Sequence, residues 1–552
     1  MPGRKVVLLS IDPWKADFVG FRPFNYSVRR LQAALMVQRD LDVEVEVLDF
    51  RTDDADEIIA EIEKHDPDLL GASSYVWSLP TFYEVARRLK ASHPDLCIVF
   101  GGPSARRSML SLAPYRDGTS FIDALAVGDG EDTLCEIAAL PAWNRQSLLG
   151  VPGLEVATPT GWRHTGERPK PDDLDRFSSP FQMGLAPKAV SAHLETFRGC
   201  PFSCAFCEWG VLGTVSPVFS RDYLVRELKA FAAADAVGVF LVDAGLNLNA
   251  KAFRNLKAAE EETGVLRDKL FNCEFYPSHA TGEHIEFLSS LKLAEVGVGL
   301  QSYDPQVLKR LNRPFNPEKF GPVIDAVSRV SNVTIELIIG LPGDNPTSFR
   351  ATLERAMQHE CAILISHCLV LPDALMTRGD ADFDLDYDPL TLKMRSCLGW
   401  SVDDLAREWD HLGEMAAKLG GAVTAGALCR FPGAEGKGQG AGPQRTRVQA
   451  ARQVTAPTTP PAALPDTRLV QLQRRPGSLG GLPVHPPPAA PAAHAAGAPP
   501  LPPLPVAHGG LSGLAPHVVH CIQAMSGTLP ANQCVPLQGP QLQSVQPCAP
   551  TN

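Results

Sequence analysis

The sequence predicts an α/β protein made of two successive strand–helix units and a separate C-terminal tail. Three observations lead there. Short apolar runs alternate with amphipathic helical stretches over residues 1–140, and again over residues 191–375. Most of these runs end in glycine, serine or another polar residue. From residue 431 the composition shifts to Pro, Ala, Gly and Gln. Alternation of this kind marks parallel sheets covered by helices.

In the first unit, strands are expected at 5–11, 43–50, 69–75, 97–100 and 122–127. Helices are expected at 27–39, 55–64 and 81–92. This order predicts a doubly wound parallel sheet, which takes ligands at the carboxyl ends of its strands. Ser73, Ser74, Gly101, Gly102, Gly128, Gly130 and Glu131 fall at those ends. Residues 141–190, rich in Pro, Gly and Asp, read as a linker, most clearly at Pro169-Lys170-Pro171-Asp172-Asp173-Leu174. The second unit has strand patterns at 192–197, 237–242, 271–276, 296–300, 333–339 and 363–371. Polar residues again gather at the strand ends, where barrel chemistry sits. Residues 376–430, with an acidic stretch at 380–388 and a helical one at 403–419, are expected to cap this unit.

The formal net charge is −11. It supplies no electrostatic attraction to nucleic acid or an anionic membrane, and no run of 18 apolar residues suggests a membrane span. Thirteen cysteines without an evident export signal suggest a reducing, cytoplasmic setting.

The most informative residues are Cys200, Cys204 and Cys207, spaced C-x3-C-x2-C in Arg198-Gly199-Cys200-Pro201-Phe202-Ser203-Cys204-Ala205-Phe206-Cys207-Glu208-Trp209-Gly210. Three such thiols could be three of four zinc ligands, or buried free thiols packing as small apolar groups. No second cysteine pair lies nearby, and a strand pattern runs straight into the loop. Three thiolates can instead hold three irons of a [4Fe–4S] cluster, leaving the fourth open. The run resembles the signature of the radical S-adenosylmethionine (SAM) superfamily, in which the open iron chelates SAM and reduction yields a 5′-deoxyadenosyl radical.

That resemblance implies a partial (β/α)6 barrel over 191–375. It places Phe206 backbone near the adenine, Gln301 and Ser302 near the ribose and methionine end of SAM, and Ile338 to Gly340 beside adenine. Asp243 and Asn247, after the second barrel strand, fall where related proteins often face the site. Tyr303 either donates a proton or packs. Cys273, Cys361 and Cys368 sit in or near apolar strands and read as core.

The first unit resembles the Rossmann-like cobalamin-binding domain that precedes the barrel in one subclass, with a Gly-Gly turn after the fourth strand and Gly-x-Gly-Glu after the fifth. The Asp-x-His-x-x-Gly motif that supplies a cobalt-ligating histidine is missing. If cobalamin binds, no protein histidine is expected on its lower face.

Together these resemblances imply a cobalamin-dependent radical SAM methyltransferase. It would carry a methyl group from SAM, via methylcobalamin, to an unactivated carbon or a phosphinate phosphorus in antibiotic biosynthesis. The Cys-Glu-Trp-Gly ending is compatible with P-methylation of a phosphinothricin precursor. Expected partners are a small substrate, with Arg198 available to an anionic one, and an electron donor such as flavodoxin or ferredoxin. The alternatives are a ring-forming or oxidative radical SAM enzyme, or a non-catalytic cobalamin-binding protein. A tRNA methylthiotransferase would need a second set of cluster cysteines, yet only Cys97 and Cys135 precede Cys200.

The tail, 431–552, has no Asp or Glu after Asp466 and no Lys after Lys437, with runs such as Pro486-Pro487-Pro488. It is expected to be disordered. Its imbalance of charge also fits a GC-rich coding region read in a shifted frame. No ligand role is assigned to its cysteines at 521, 534 and 548.

Overall fold

The computed structural model describes residues 3–12, 24–211 and 217–419, together with the short segments 422–424 and 427–430. The tail expected at 431–552 lies outside the described residues. All but two of the described strands fall in two sheets, with helices packed around them.

The first sheet is formed by β1 (Arg4–Ile11), β2 (Val43–Phe50), β3 (Leu69–Ser73), β4 (Cys97–Gly101), β5 (Ala124–Ala126), β6 (Leu154–Thr158) and β7 (Gly161–His164). Its order is β2-β1-β3-β4-β5-β6-β7. The neighbours from β2 to β5 pair in parallel, while β6 and β7 are antiparallel additions. β1 shows why the sheet is wound on both faces. Val7, Leu9 and Ile11 enter one core, and Val6 and Leu8 the other. A continuous apolar run suits a strand covered on both sides. β2 lies at the edge and exposes Glu44, Glu46 and Asp49, charges that discourage edge-to-edge pairing. Helices start at side-chain caps: Asn25 accepts from Val28 N, and Asp54 from Asp56 N and Glu57 N.

The linker expected over 141–190 is corrected by β6, β7 and the helix Arg145–Leu148. Leu154 and Val156 are fully buried on one side of β6. The turns around these short strands use Gly153 and Gly161 at φ +80° and +114°. Turn residues thus dominate a stretch that still pairs as a hairpin. Residues 165–190 have no regular element. They are nonetheless packed, because Leu174, Phe177 and Phe181 are buried in the second core.

The second sheet contains β8 (Ser191–Leu194), β9 (Gly238–Leu241), β10 (Leu270–Glu274), β11 (Leu293–Gln301), β12 (Asn332–Ile339) and β13 (Ala362–His367). These six pair in parallel and in chain order. A small hairpin, β14 (Asp386–Tyr387) and β15 (Met394–Ser396), follows. The helix Val402–Leu419 leads into β16 (Ala422–Thr424) and β17 (Ala427–Arg430). β17 runs antiparallel to β13, and β16 to β17. Part of the region expected as a cap therefore widens the sheet. The strand expected over 363–371 ends at His367, because beyond it Leu369 forms only an isolated bridge, to Lys393.

Candidate active site between a glycine-lined cavity and a cysteine loop

The strand ends of the first sheet open onto a cavity of about 260 Å³. Ser73, Gly101, Gly102, Gly128, Gly130 and Glu131 line it, and so do Glu195, Arg198, Gly199 and Trp209 from the second unit. One chamber therefore touches both the glycine turns and the loop that carries the cysteines. Gly128 stands at φ +86°, and a Cβ built there would meet no heavy atom within 4 Å. Bare backbone at that turn faces open space. Gly102 differs. At φ +90° it lies so close to Ser74 that a Cβ would come within 2.7 Å of the Ser74 carbonyl oxygen.

Ser74 is fully buried and does not line the cavity. Its N–H donates to Gly101 O (2.7 Å) and its carbonyl accepts from Ser104 N (3.0 Å). It holds the turn together, which corrects its expected place among ligand contacts. Glu131 reaches the cavity but is engaged by Arg198 Nη2 (2.6 Å) and by Arg30 Nε (3.6 Å). Burial pushes its carboxyl up, yet Arg198 and Arg30 pull it further down, to about 2. Arg198 also pairs with Asp129 and Glu195. That engagement corrects the expectation of a guanidinium available to an anionic substrate.

The cysteine loop leaves β8 and is held from several sides. Cys204 is buried, whereas Cys200 and Cys207 are partly exposed. Burial raises the Cys200 thiol to about 12, with Cys207 and Cys204 adding to the rise. Burial also raises Cys204, opposed by Arg313. Arg313 Nη1 lies 3.9 Å from Cys204 Sγ, its Nη2 donates to Gly299 O, and its guanidinium stacks 4.8 Å from the Tyr276 ring centre. Arg378 donates to the carbonyls of Ser203 (3.2 Å), Cys204 (3.0 Å) and Cys207. Among the described residues, no three His, Cys, Asp or Glu side chains group as ligands of a single metal ion, as a mononuclear zinc site would require. A cubane cluster instead spreads its thiolates over separate irons, so three thiols on one buffered loop fit that group.

Gln301 ends β11 at φ +68°, where the pairing with β12 slips by one residue. Left-handed backbone is uncommon for glutamine and marks strain. Its side-chain amide crowds Gly299, where a Cβ would sit 2.6 Å from Nε2. Its Oε1 is buried without a hydrogen-bond partner, a state that native structures rarely leave unexplained. Ser302 is fully buried, and its hydroxyl accepts from Asp304 N (3.1 Å). Ile338 is buried at the end of β12. Gly340 follows at φ +85°, where a Cβ would press on Leu405 of the helix Val402–Leu419 at 3.2 Å. Phe206 is buried in the barrel core.

Residues 25–138 match the family described as B12 binding domain, and residues 194–356 match the Radical SAM superfamily. This chain is a B12-binding radical SAM protein. It is 30% identical over 361 residues to the 2-(S-pantetheinyl)-carbapenam-3-carboxylate methyltransferase of Streptantibioticus cattleyicolor, covering 59% of this chain and 50% of that protein. It is 29% identical over 344 residues to the cobalamin-dependent radical SAM methyltransferase TokK of Streptomyces tokunonensis, covering 56% and 48%. The chain thus spans about half the length of these curated relatives. Its fold resembles that of the radical SAM methyltransferase TsrM from Kitasatospora setae (TM-score 0.53, 20% identity, 68% of this chain and 75% of that one). It also resembles the cobalamin-dependent radical enzyme OxsB (TM-score 0.56, 15% identity, 75% and 68%).

In this B12-binding radical SAM protein, Asp243 and Asn247 tie backbone rather than face the cavity. Asp243 accepts from Thr196 N (2.8 Å), Thr196 Oγ1 and Phe197 N (3.4 Å). Asn247 exchanges two hydrogen bonds with the Tyr276 backbone. Tyr303 packs between Phe315 and Phe320, with Arg355 over its ring. Cys273, Cys361 and Cys368 are buried. The residues that sequence reasoning missed are Arg313, Arg378, Arg106 and Glu208. Their long-range contacts, Arg313 to Cys204, Arg378 to the cysteine-loop carbonyls and Arg106 and Glu208 to Asp373, span more than 100 residues and leave no local pattern.

Proposed function

We propose that this chain is a cobalamin-dependent radical SAM methyltransferase that acts on a small molecule. The observation carrying the reading is the shared chamber: the cavity that the B12-binding half opens at its glycine turns is walled on its far side by Arg198, Gly199 and Trp209 of the cysteine loop. When bound, cobalamin, SAM and the [4Fe–4S] cluster supply methyl transfer and radical generation, the hard chemistry that a protein leaves to its cofactors. The protein's residues hold and orient. Cys200, Cys204 and Cys207 would ligate the cluster. Arg313 sets positive charge beside Cys204, and Arg378 fixes the loop carbonyls. Gln301, with its unpartnered oxygen, would take a donor group of SAM, and Ile338 and Gly340 would flank the adenine. Ser73, Gly101, Gly102, Gly128 and Gly130 would bring backbone to the corrin or its tail. Among the described residues lining the cavity there is no histidine.

The finer substrate reading favours a natural product bearing a carboxylate. The carbapenam relative's name points that way, whereas P-methylation of a phosphinothricin precursor rests only on the Cys-Glu-Trp-Gly ending. A flavodoxin or ferredoxin would supply electrons. The test is anaerobic turnover of reconstituted enzyme with trideuteromethyl SAM and a panel of carboxylated and phosphinate substrates. The expected result is a product three mass units heavier than its unlabelled methylated counterpart, with 5′-deoxyadenosine and S-adenosylhomocysteine formed together. A modified product without the label, with 5′-deoxyadenosine alone, would instead identify a ring-forming or oxidative enzyme.

A further inference from the structure

Both glycine turns of the cavity carry charged side chains that cross to the barrel, and both lead to the cysteine loop. At the front of the loop, Arg198 is gripped by Asp129 (3.2 Å) and Glu131 (2.6 Å) of the Gly128–Glu131 turn. At the back the path has two steps. Arg106, just beyond the Gly101-Gly102 turn, donates from Nη1 to Gly102 O (3.0 Å) and Ala105 O (3.2 Å), and from Nε to Asp373 Oδ2 (2.5 Å). Asp373 follows β13, and its own carbonyl accepts from Arg378 Nε (2.8 Å). Arg378 then spreads its remaining nitrogens over the carbonyls of Ser203, Cys204 and Cys207. A weaker branch joins the same point, since Asp373 N lies 3.5 Å from Glu208 Oε1, directly after Cys207.

The chain of contacts is continuous from a turn that lines the cavity to the carbonyls between the cluster thiols. Its links are planar guanidinium forks, which fix direction as well as distance. The Arg106–Asp373 pair keeps side-chain exposures of only 16% and 24%, so solvent screens it less than a surface pair. Gly102 packs against the Ser74 backbone with no space for a side chain. Its carbonyl is held by Arg106 Nη1, so a shift of that carbonyl would be felt at Arg106.

We propose that Asp373 is a positioning residue that couples the corrin-binding turn to the cluster loop, so that binding of cobalamin and binding of the cluster strengthen one another. This rests on the reading given under Proposed function. Coupling between two sites is reciprocal, and typical values correspond to about 5- to 150-fold in affinity.

The experiment measures hydroxocobalamin affinity of the full chain, anaerobically, with and without the reconstituted cluster. It is run on wild type, Asp373→Asn, Arg106→Gln and the rescue variant Asp373→Glu. Wild type is expected to bind hydroxocobalamin about fivefold or more tightly when the cluster is present. Asp373→Asn should bind it equally in both states while retaining its iron, and Asp373→Glu should recover part of the ratio. Arg106→Gln breaks the same link from the other side and gives the ratio if Asp373→Asn does not fold. Equal affinities in wild type, or an undiminished ratio in the variants, overturn the proposal while leaving the methyltransferase reading intact. Failure of wild type to bind either cofactor overturns both.

Discussion

Glu131 is a side chain whose environment its sequence position does not reveal. Read along the chain it is a strand-end acid in a Gly-x-Gly-Glu turn, placed among the cobalamin contacts. In the fold it is buried against Arg198 and Arg30, which hold its carboxyl down at about 2. An acid whose folded value lies below its unfolded one adds stability above the unfolded value, near 4.5, and loses it as the pH falls toward 2. Thermal melting from pH 7 to pH 2 should show this loss in wild type. Glu131→Gln should flatten the acid limb and lower stability at pH 7 by on the order of 3 kcal/mol. Arg313 makes a second residue-scale case. Its cation lies 3.9 Å from Cys204 Sγ, and charge beside cluster sulfur raises a reduction potential. Redox titration followed by EPR should therefore place the cluster of Arg313→Gln at a lower potential than wild type. An unchanged potential would mean that Arg313 serves only to support Gly299 and Tyr276. The cysteine motif was legible because its spacing is local. The contacts of Arg313 and Arg378 to the cysteine loop were not, because they join segments more than 100 residues apart.

At the scale of elements, the glycine turns were legible as strand ends but not as different kinds of glycine. Gly102 is a packing glycine against Ser74, and Gly128 is an open one. Both have positive φ, so alanine costs about 1–2 kcal/mol at either from backbone conformation alone. Only at position 102 does a clash with the backbone add to this. Chemical denaturation should rank Gly102→Ala as the more damaging of the two, and a reversed order would contradict the geometry. The central parallel strands of both sheets were visible as apolar runs because burial on both faces leaves no alternation to confuse with loop, and the edge strand β2 showed as an alternating run. β6 and β7 escaped notice for a different reason: they are short, flanked by turn residues, and held by pairing of β6 with β5 and of β7 with β6, which no local pattern records. Gln301 was read at the right strand end, yet the bulge that turns it to φ +68° follows from a register slip against β12, which depends on two strands at once.

For the whole molecule, the two sheets matter less singly than through what lies between their carboxyl ends. The cavity is bounded by turns from one unit and by the cysteine loop from the other, and three arginines cross the boundary as ion pairs: Arg30 to Glu195, Arg198 to Glu131 and Arg106 to Asp373. That arrangement explains why one chain would carry both a corrin and a cluster. The decisive measurement is iron, sulfide and cobalamin per chain after anaerobic purification and reconstitution, on wild type and on a variant with Cys200, Cys204 and Cys207 all changed to Ala. The fold predicts about four irons and four sulfides per wild-type chain, lost in the variant, with about one cobalamin per wild-type chain. A cluster without cobalamin, or iron that survives loss of the three cysteines, would contradict it.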